Sequence, residues 1–122
     1  MQTEIIILGH GSRIPEANYQ LIEVAKKVAH ILDRTVTPAF MFHGTPDLPS
    51  VVIEKILIGA KRIIIMPLFL FLGTYVSKEI HERIKKIRTQ FPQIDIVFAK
   101  ELGADDIIAN LACSRIKETI GT

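Results

Sequence analysis

Four short apolar runs rich in β-branched residues, Glu4–Leu8, Val36–Phe42, Arg62–Met66 and Asp95–Ala99, constrain this chain more than any other feature. They read as continuous apolar stretches instead of alternating ones. A strand of that kind has both faces covered, which is the mark of a parallel sheet flanked by helices. The intervening segments repeat at the helical period. From Pro15 to Asp33 the apolar positions are Leu21, Val24, Ala25, Val28, Ile31 and Leu32; the second segment carries Leu48, Val51, Val52 and Ile56; the third Val76, Ile80, Ile84 and Ile87; the last Ile107, Ile108, Leu111, Ala112 and Ile116. Gly59 and Gly73 stand where helix and strand hand over, Pro92 stops the third helix, and Pro46 or Pro49 suits the first turn of the second. The order βαβαβαβα predicts an α/β fold: a three-layer, doubly wound parallel sheet of four strands, forming one domain over residues 1–122.

Composition narrows the function classes. Fifteen Lys and Arg against 13 Asp and Glu leave a net charge of +2 with no long basic run, so no electrostatic footprint for nucleic acid is present. A single cysteine, Cys113, excludes an internal disulfide and a cysteine-rich zinc module and suits a reducing, cytoplasmic setting. The opening Met-Gln-Thr-Glu lacks the basic start of a signal peptide. The longest apolar stretch, Ile63 to Gly73, is too short and contains a proline, so no membrane span is expected.

In such sheets ligands sit beyond the carboxyl ends of the strands. After the first strand comes Gly9-His10-Gly11-Ser12-Arg13, where two glycines let the backbone turn sharply around a histidine. That imidazole either bonds to nearby backbone or serves as proton acceptor or metal ligand. The segment is neither a phosphate loop nor a dinucleotide fingerprint, since both the Gly-Lys-Ser/Thr ending and a third glycine are missing. His43 follows the second strand directly and either enters the same cleft or is a polar turn residue. The long apolar stretch Leu68–Leu72 after the third strand lines a pocket, an interface or the core. Tyr75 and Glu79, four apart at a helix start, share one face and either meet one ligand or bond locally. Glu101 reads as solvated, His30 and His81 as surface or boundary residues, and Cys113 as a small hydrophobe beside the last apolar stripe.

Taken in order, Leu8-Gly9-His10-Gly11-Ser12-Arg13, Ala39-Phe40 with Pro46-Asp47-Leu48, Gly59 through Leu70, Gly73-Thr74-Tyr75-Val76-Ser77-Lys78-Glu79-Ile80 and the ending Leu102-Gly103 through Ser114-Arg115-Ile116 resemble the small CbiX-type sirohydrochlorin chelatases, class II tetrapyrrole metal chelatases. The resemblance covers nearly the whole chain. It implies a chelatase-like fold, a homodimer, and insertion of Co²⁺, or Ni²⁺ or Fe²⁺ as in relatives, into sirohydrochlorin, with the divalent metal as substrate and no organic cofactor. The family's two metal-handling histidines match His10 and the third position of Gly73-Thr74-Tyr75-Val76, where this chain has tyrosine. Glu79 matches the family's acidic position in the following helix. On this footing His10 is metal ligand and proton acceptor, Glu79 aids metal delivery or proton removal, and Tyr75 lines the pocket and touches the metal. His43 is a substitute nitrogen donor, Arg13 and Lys78 meet the substrate's acidic side chains, and Phe69 faces the macrocycle or a partner subunit. A phenol is a poorer base and ligand near neutral pH than imidazole, which leaves a second reading open: a tetrapyrrole- or metal-binding relative without catalysis. A phosphoryl-receiving domain would need acidic residues after the first and third strands, and a histidine phosphatase an arginine before its histidine; Leu8-Gly9-His10 and Met66-Pro67 supply none of these.

Overall fold

The computed structural model describes residues 2–121, so Met1 and Thr122, the ends of the expected 1–122 domain, lie outside the described residues. Eight elements follow in strict alternation: β1 (Thr3–Gly11), α1 (Pro15–Leu32), β2 (Val36–His43), α2 (Leu48–Leu57), β3 (Arg62–Pro67), α3 (Thr74–Gln90), β4 (Asp95–Phe98) and α4 (Asp106–Ile120). The strands form one parallel sheet in the order β2-β1-β3-β4. This is the α/β layering read from the apolar runs.

The two sheet faces are filled unequally. Side chains alternate across a strand, and Ile6, Leu8, Ile63, Ile65 and Ile96 point to the face covered by α2 and α3, where they join Val51, Val52, Ile80 and Ile84 in the larger core. On the opposite face Ile7 and Phe40 meet Leu21 and Ala25 of α1 in a much smaller cluster. Lys55, buried on α2, is neutralised by Glu4, whose carboxylate lies 3.5 Å from its ammonium, so the charge that opens β1 is paired.

Strand β1 runs three residues past the expected end at Leu8. It continues to pair with β2 through Gly9 with Phe40 and Gly11 with His43, with an irregularity between the two pairs. His10 therefore sits on a distorted strand end and not on a free loop. At the other edge, β4 stops at Phe98, one residue short of Ala99. The larger departure is α4. The apolar spacing predicts a helix packed on the sheet, and the helix forms, but none of its residues is buried. Cys113, read as a packed hydrophobe, is exposed with it.

Candidate functional site

Two glycines shape the carboxyl end of β1 for packing reasons that can be named. A Cβ on Gly9 would stand 2.6 Å from Leu21 Cδ2, so glycine here lets α1 close against the strand. Gly11 has φ of +89°, and a Cβ there would be driven into the backbone of His43. Asn18, on the first turns of α1, fixes the same corner. Its Oδ1 accepts the N–H of Ser12 at 2.8 Å, and its Nδ2 donates to the carbonyl of Ser12 at 2.9 Å and to that of His43 at 3.4 Å. One amide thus ties the β1 and β2 ends together.

His10 projects from this corner with its ring exposed. Its Nδ1 lies 3.2 Å from the carbonyl oxygen of Gly11. A carbonyl oxygen only accepts, so this bond needs the proton on Nδ1 and leaves the Nε2 lone pair facing outward. Phe42 flanks the ring at 4.8 Å between centroids and Phe69 meets it edge-on at 6.1 Å. Behind Phe42 stands Arg83, its guanidinium 5.5 Å from the ring centre. Arg83 donates through Nη1 to the carbonyl of Met41 at 2.6 Å and through Nε to Glu79 at 3.3 Å. Tyr75, Glu79 and Arg83 succeed one another at four-residue spacing on one face of α3. The sequence reading missed Phe42, Arg83 and Asn18, although the spacing from Glu79 to Arg83 is visible in the chain.

The other expected residues fall around this centre. His10 and Phe69 are in contact. Tyr75 is 73% exposed on the first turn of α3, and Glu79 is half-buried against Arg83. Lys78 and Arg13 are exposed. His10 lines a cavity of about 350 Å³ with Asn18, Leu21, Phe40 and Leu68, whereas His43 lines an adjoining one of about 570 Å³ with Arg13, Phe42 and Tyr19. The two histidines stand at neighbouring strand ends in different recesses. Among the described residues, no group of three or more His, Cys, Asp or Glu is arranged to hold a metal ion. Glu101, read as solvated, instead accepts the backbone N–H of Leu72, and the N–H of Gly103 donates to the carbonyl of Leu70 at 2.8 Å, so the β4–α4 connection holds the apolar segment at 68–72 in place. Leu68 packs toward α1, Phe69 and Leu72 against the larger core, while Leu70 and Phe71 remain in solvent, Phe71 at 71% exposure. That segment is thus part core, part open apolar rim beside His10.

Four likenesses bear on what such a strand end does. The family model for CbiX matches residues 4–119. The chain is 27% identical to a sirohydrochlorin cobaltochelatase of Methanocaldococcus jannaschii over 91% of this chain and 95% of that protein. It is 28% identical to a sirohydrochlorin ferrochelatase of Priestia megaterium, of which it covers 44% of the length. The solved structure of SirB from Bacillus subtilis with Fe³⁺ superposes on all of this chain and on 48% of its own, at 25% identity and a TM-score of 0.88. The chain therefore spans about half the length of two of these relatives and nearly all of the third. No helix among the described residues is long and apolar enough to cross a membrane.

Proposed function

Since the chain belongs to the CbiX family, we propose that it inserts a divalent metal, Co²⁺, into sirohydrochlorin, working as two copies of the chain about one macrocycle in a reducing, cytoplasmic compartment. The observation that carries this reading is the setting of His10: an exposed imidazole with its Nε2 lone pair outward, walled by Phe42 and Phe69 and bordered by the open Leu70–Phe71 rim. A flat, largely apolar macrocycle with acidic side chains needs an aromatic wall for its face and cations for its edge. The exposed Arg13 and Lys78 are placed for the latter role.

Metal insertion exchanges two pyrrole protons for one M²⁺, so the site must strip water from the ion, present it to the ring and take up protons. His10 performs both acts through one nitrogen: Nε2 holds the ion as it sheds water, and once the metal has passed to the ring the same lone pair accepts a proton. Glu79, steadied by Arg83, offers a second proton acceptor, a carboxylate, a turn below Tyr75. Tyr75 lines the approach at the position where the family has a histidine. Co²⁺ is favoured by the cobaltochelatase among the relatives, with Fe²⁺ and Ni²⁺ as rivals.

A second reading, a tetrapyrrole- or metal-binding relative without turnover, draws on the tyrosine at position 75, where a phenol is a poorer base and ligand near neutral pH than imidazole. The two separate by turnover. Following the absorbance of sirohydrochlorin with Co²⁺, Ni²⁺ and Fe²⁺ in parallel should show insertion, fastest with cobalt. His10→Ala should fold normally, because the side chain is exposed, and lose insertion; insertion at the wild-type rate would end the assignment of His10. Tyr75→His should raise the cobalt rate if the phenol stands in weakly for imidazole. If His43 already supplies the nitrogen, Tyr75→His changes little and His43→Ala abolishes activity. No turnover in any of these proteins would favour the binding relative.

A further inference from the structure

Helices α2 and α3 lie side by side over the larger core and leave a groove between them. Its volume is about 620 Å³, within the usual range of small-molecule sites. The apolar part of the lining is Pro49 and Ile53, one turn apart on α2, together with Ile87 of α3. The charged part is Arg83 and Lys86, three apart and so neighbours on α3, and no acidic residue lines the groove.

The two cations are unequally engaged. Lys86 is exposed and makes neither a hydrogen bond nor an ion pair with any described residue. Arg83 carries five N–H donors. Its Nε goes to Glu79 and its Nη1 to the carbonyl of Met41, while Nη2 has no acceptor among the described residues. A guanidinium and an ammonium side by side suit one carboxylate, and the apolar lining suits the body that carries it. A bare carboxylate would leave the apolar wall wet, and an uncharged apolar body would cover two cations without pairing them. The lining therefore selects a ligand that has both parts.

Arg83 belongs to the His10 corner as well. Its guanidinium lies 5.5 Å from the ring centre of Phe42, and Phe42 flanks His10. Its bond to Glu79 is long, at 3.3 Å, so a second carboxylate on the groove side competes with a weak hold.

We propose that the α2–α3 groove binds a carboxylate carried on an apolar body, and that its occupant, by drawing on Arg83, slows the chemistry at His10. The binding stands apart from the chelatase reading; the effect on metal insertion rests on it.

Hexanoate is the probe, with acetate lacking the apolar body and hexanol lacking the charge, all at constant ionic strength. Titrations followed by NMR should show hexanoate saturating a single site with a Kd on the order of a few millimolar, the range for a ligand of about eight non-hydrogen atoms. The Nε–H signal of Arg83 should move with it. Acetate, hexanol and the Lys86→Glu protein should each bind at least about tenfold more weakly. Because Lys86 is exposed, Lys86→Glu should fold as wild type and insert cobalt at the wild-type rate. Saturating hexanoate should slow insertion about tenfold in wild type and less than about twofold in Lys86→Glu, which also separates the groove from any binding at the apolar rim. Hexanoate that does not saturate, hexanol that binds as tightly, or binding unchanged in Lys86→Glu would overturn the site. Saturation with an unmoved Arg83 signal, or with insertion unslowed, would overturn its hold on the His10 corner. A protein that fills the groove as expected, moves Arg83 and never inserts metal would end the chelatase reading and uphold the binding site, so the two failures are told apart.

Discussion

The residue that does most to build the site is one whose role no local pattern reveals. Asn18 bonds to Ser12, six positions away, and to His43, 25 positions away, and so holds the two strand ends that carry both histidines. Asn18→Ala leaves the N–H of Ser12 and two carbonyls to find water, and should cost about 1–3 kcal/mol of stability by urea unfolding. It should also slow metal insertion more than a surface change of equal destabilisation, because the His10 corner loosens. A variant as stable as wild type would show that these bonds are dispensable. His10, by contrast, is legible from sequence because its flanking glycines are local: Gly11 needs its positive φ and Gly9 the absence of a side chain. Phe42 and Arg83 were not legible as a wall and its support, since the tilted ring contact of Phe42 with His10 joins neighbouring strands and the reach of Arg83 to Met41 joins α3 to β2. Those contacts depend on register, which a single chain does not spell out.

Among the elements, the start of α2 is written in the sequence. Asp47 caps α2, its Oδ1 accepting the N–H of Ser50 at 2.9 Å, with Pro49 in the first turn. Hydrogen bonds from the Ser50 side chain and backbone, with the charge of Arg83 adding, hold the Asp47 carboxyl below its ordinary range. A carboxyl whose folded value is lower than its unfolded value stabilises the fold fully above the unfolded value. That contribution is lost as pH falls through it toward the folded one. Asp47→Ala should therefore cost about 1 kcal/mol near neutrality, and the gap to wild type should narrow below about pH 4. A gap constant down to pH 3 in thermal or denaturant melts would deny the charged cap its part. The strands β1 to β4 were equally legible, because a parallel sheet covered on both faces demands continuous apolar runs. Helix α4 was legible as a helix and not in its placement: its apolar stripe announces that something must cover it, while the stripe alone does not say whether that surface is in the same chain.

At the scale of the whole molecule, the two faces of the sheet have different needs. The face under α2 and α3 holds the larger core, with Ile6, Leu8, Ile63, Ile65 and Ile84 nearly or wholly buried, and can stand alone. The face under α1 buries only Ile7, Leu21, Ala25 and Phe40 and leaves the Ile5–Ile64–Val97 row half-open. In the two-copy assembly proposed above, part of each chain's stability is association energy, and mass action must appear in the melt. A hundredfold dilution of a dimer removes about 2.7 kcal/mol, shared by two chains of 122 residues. With an unfolding entropy of about 2.1 cal/mol/K per residue, the midpoint should fall by about 5 °C over that dilution. A wild-type midpoint that is flat over the hundredfold range would mean that the chain completes its stability alone, and the cover for the open face would then have to come from within it.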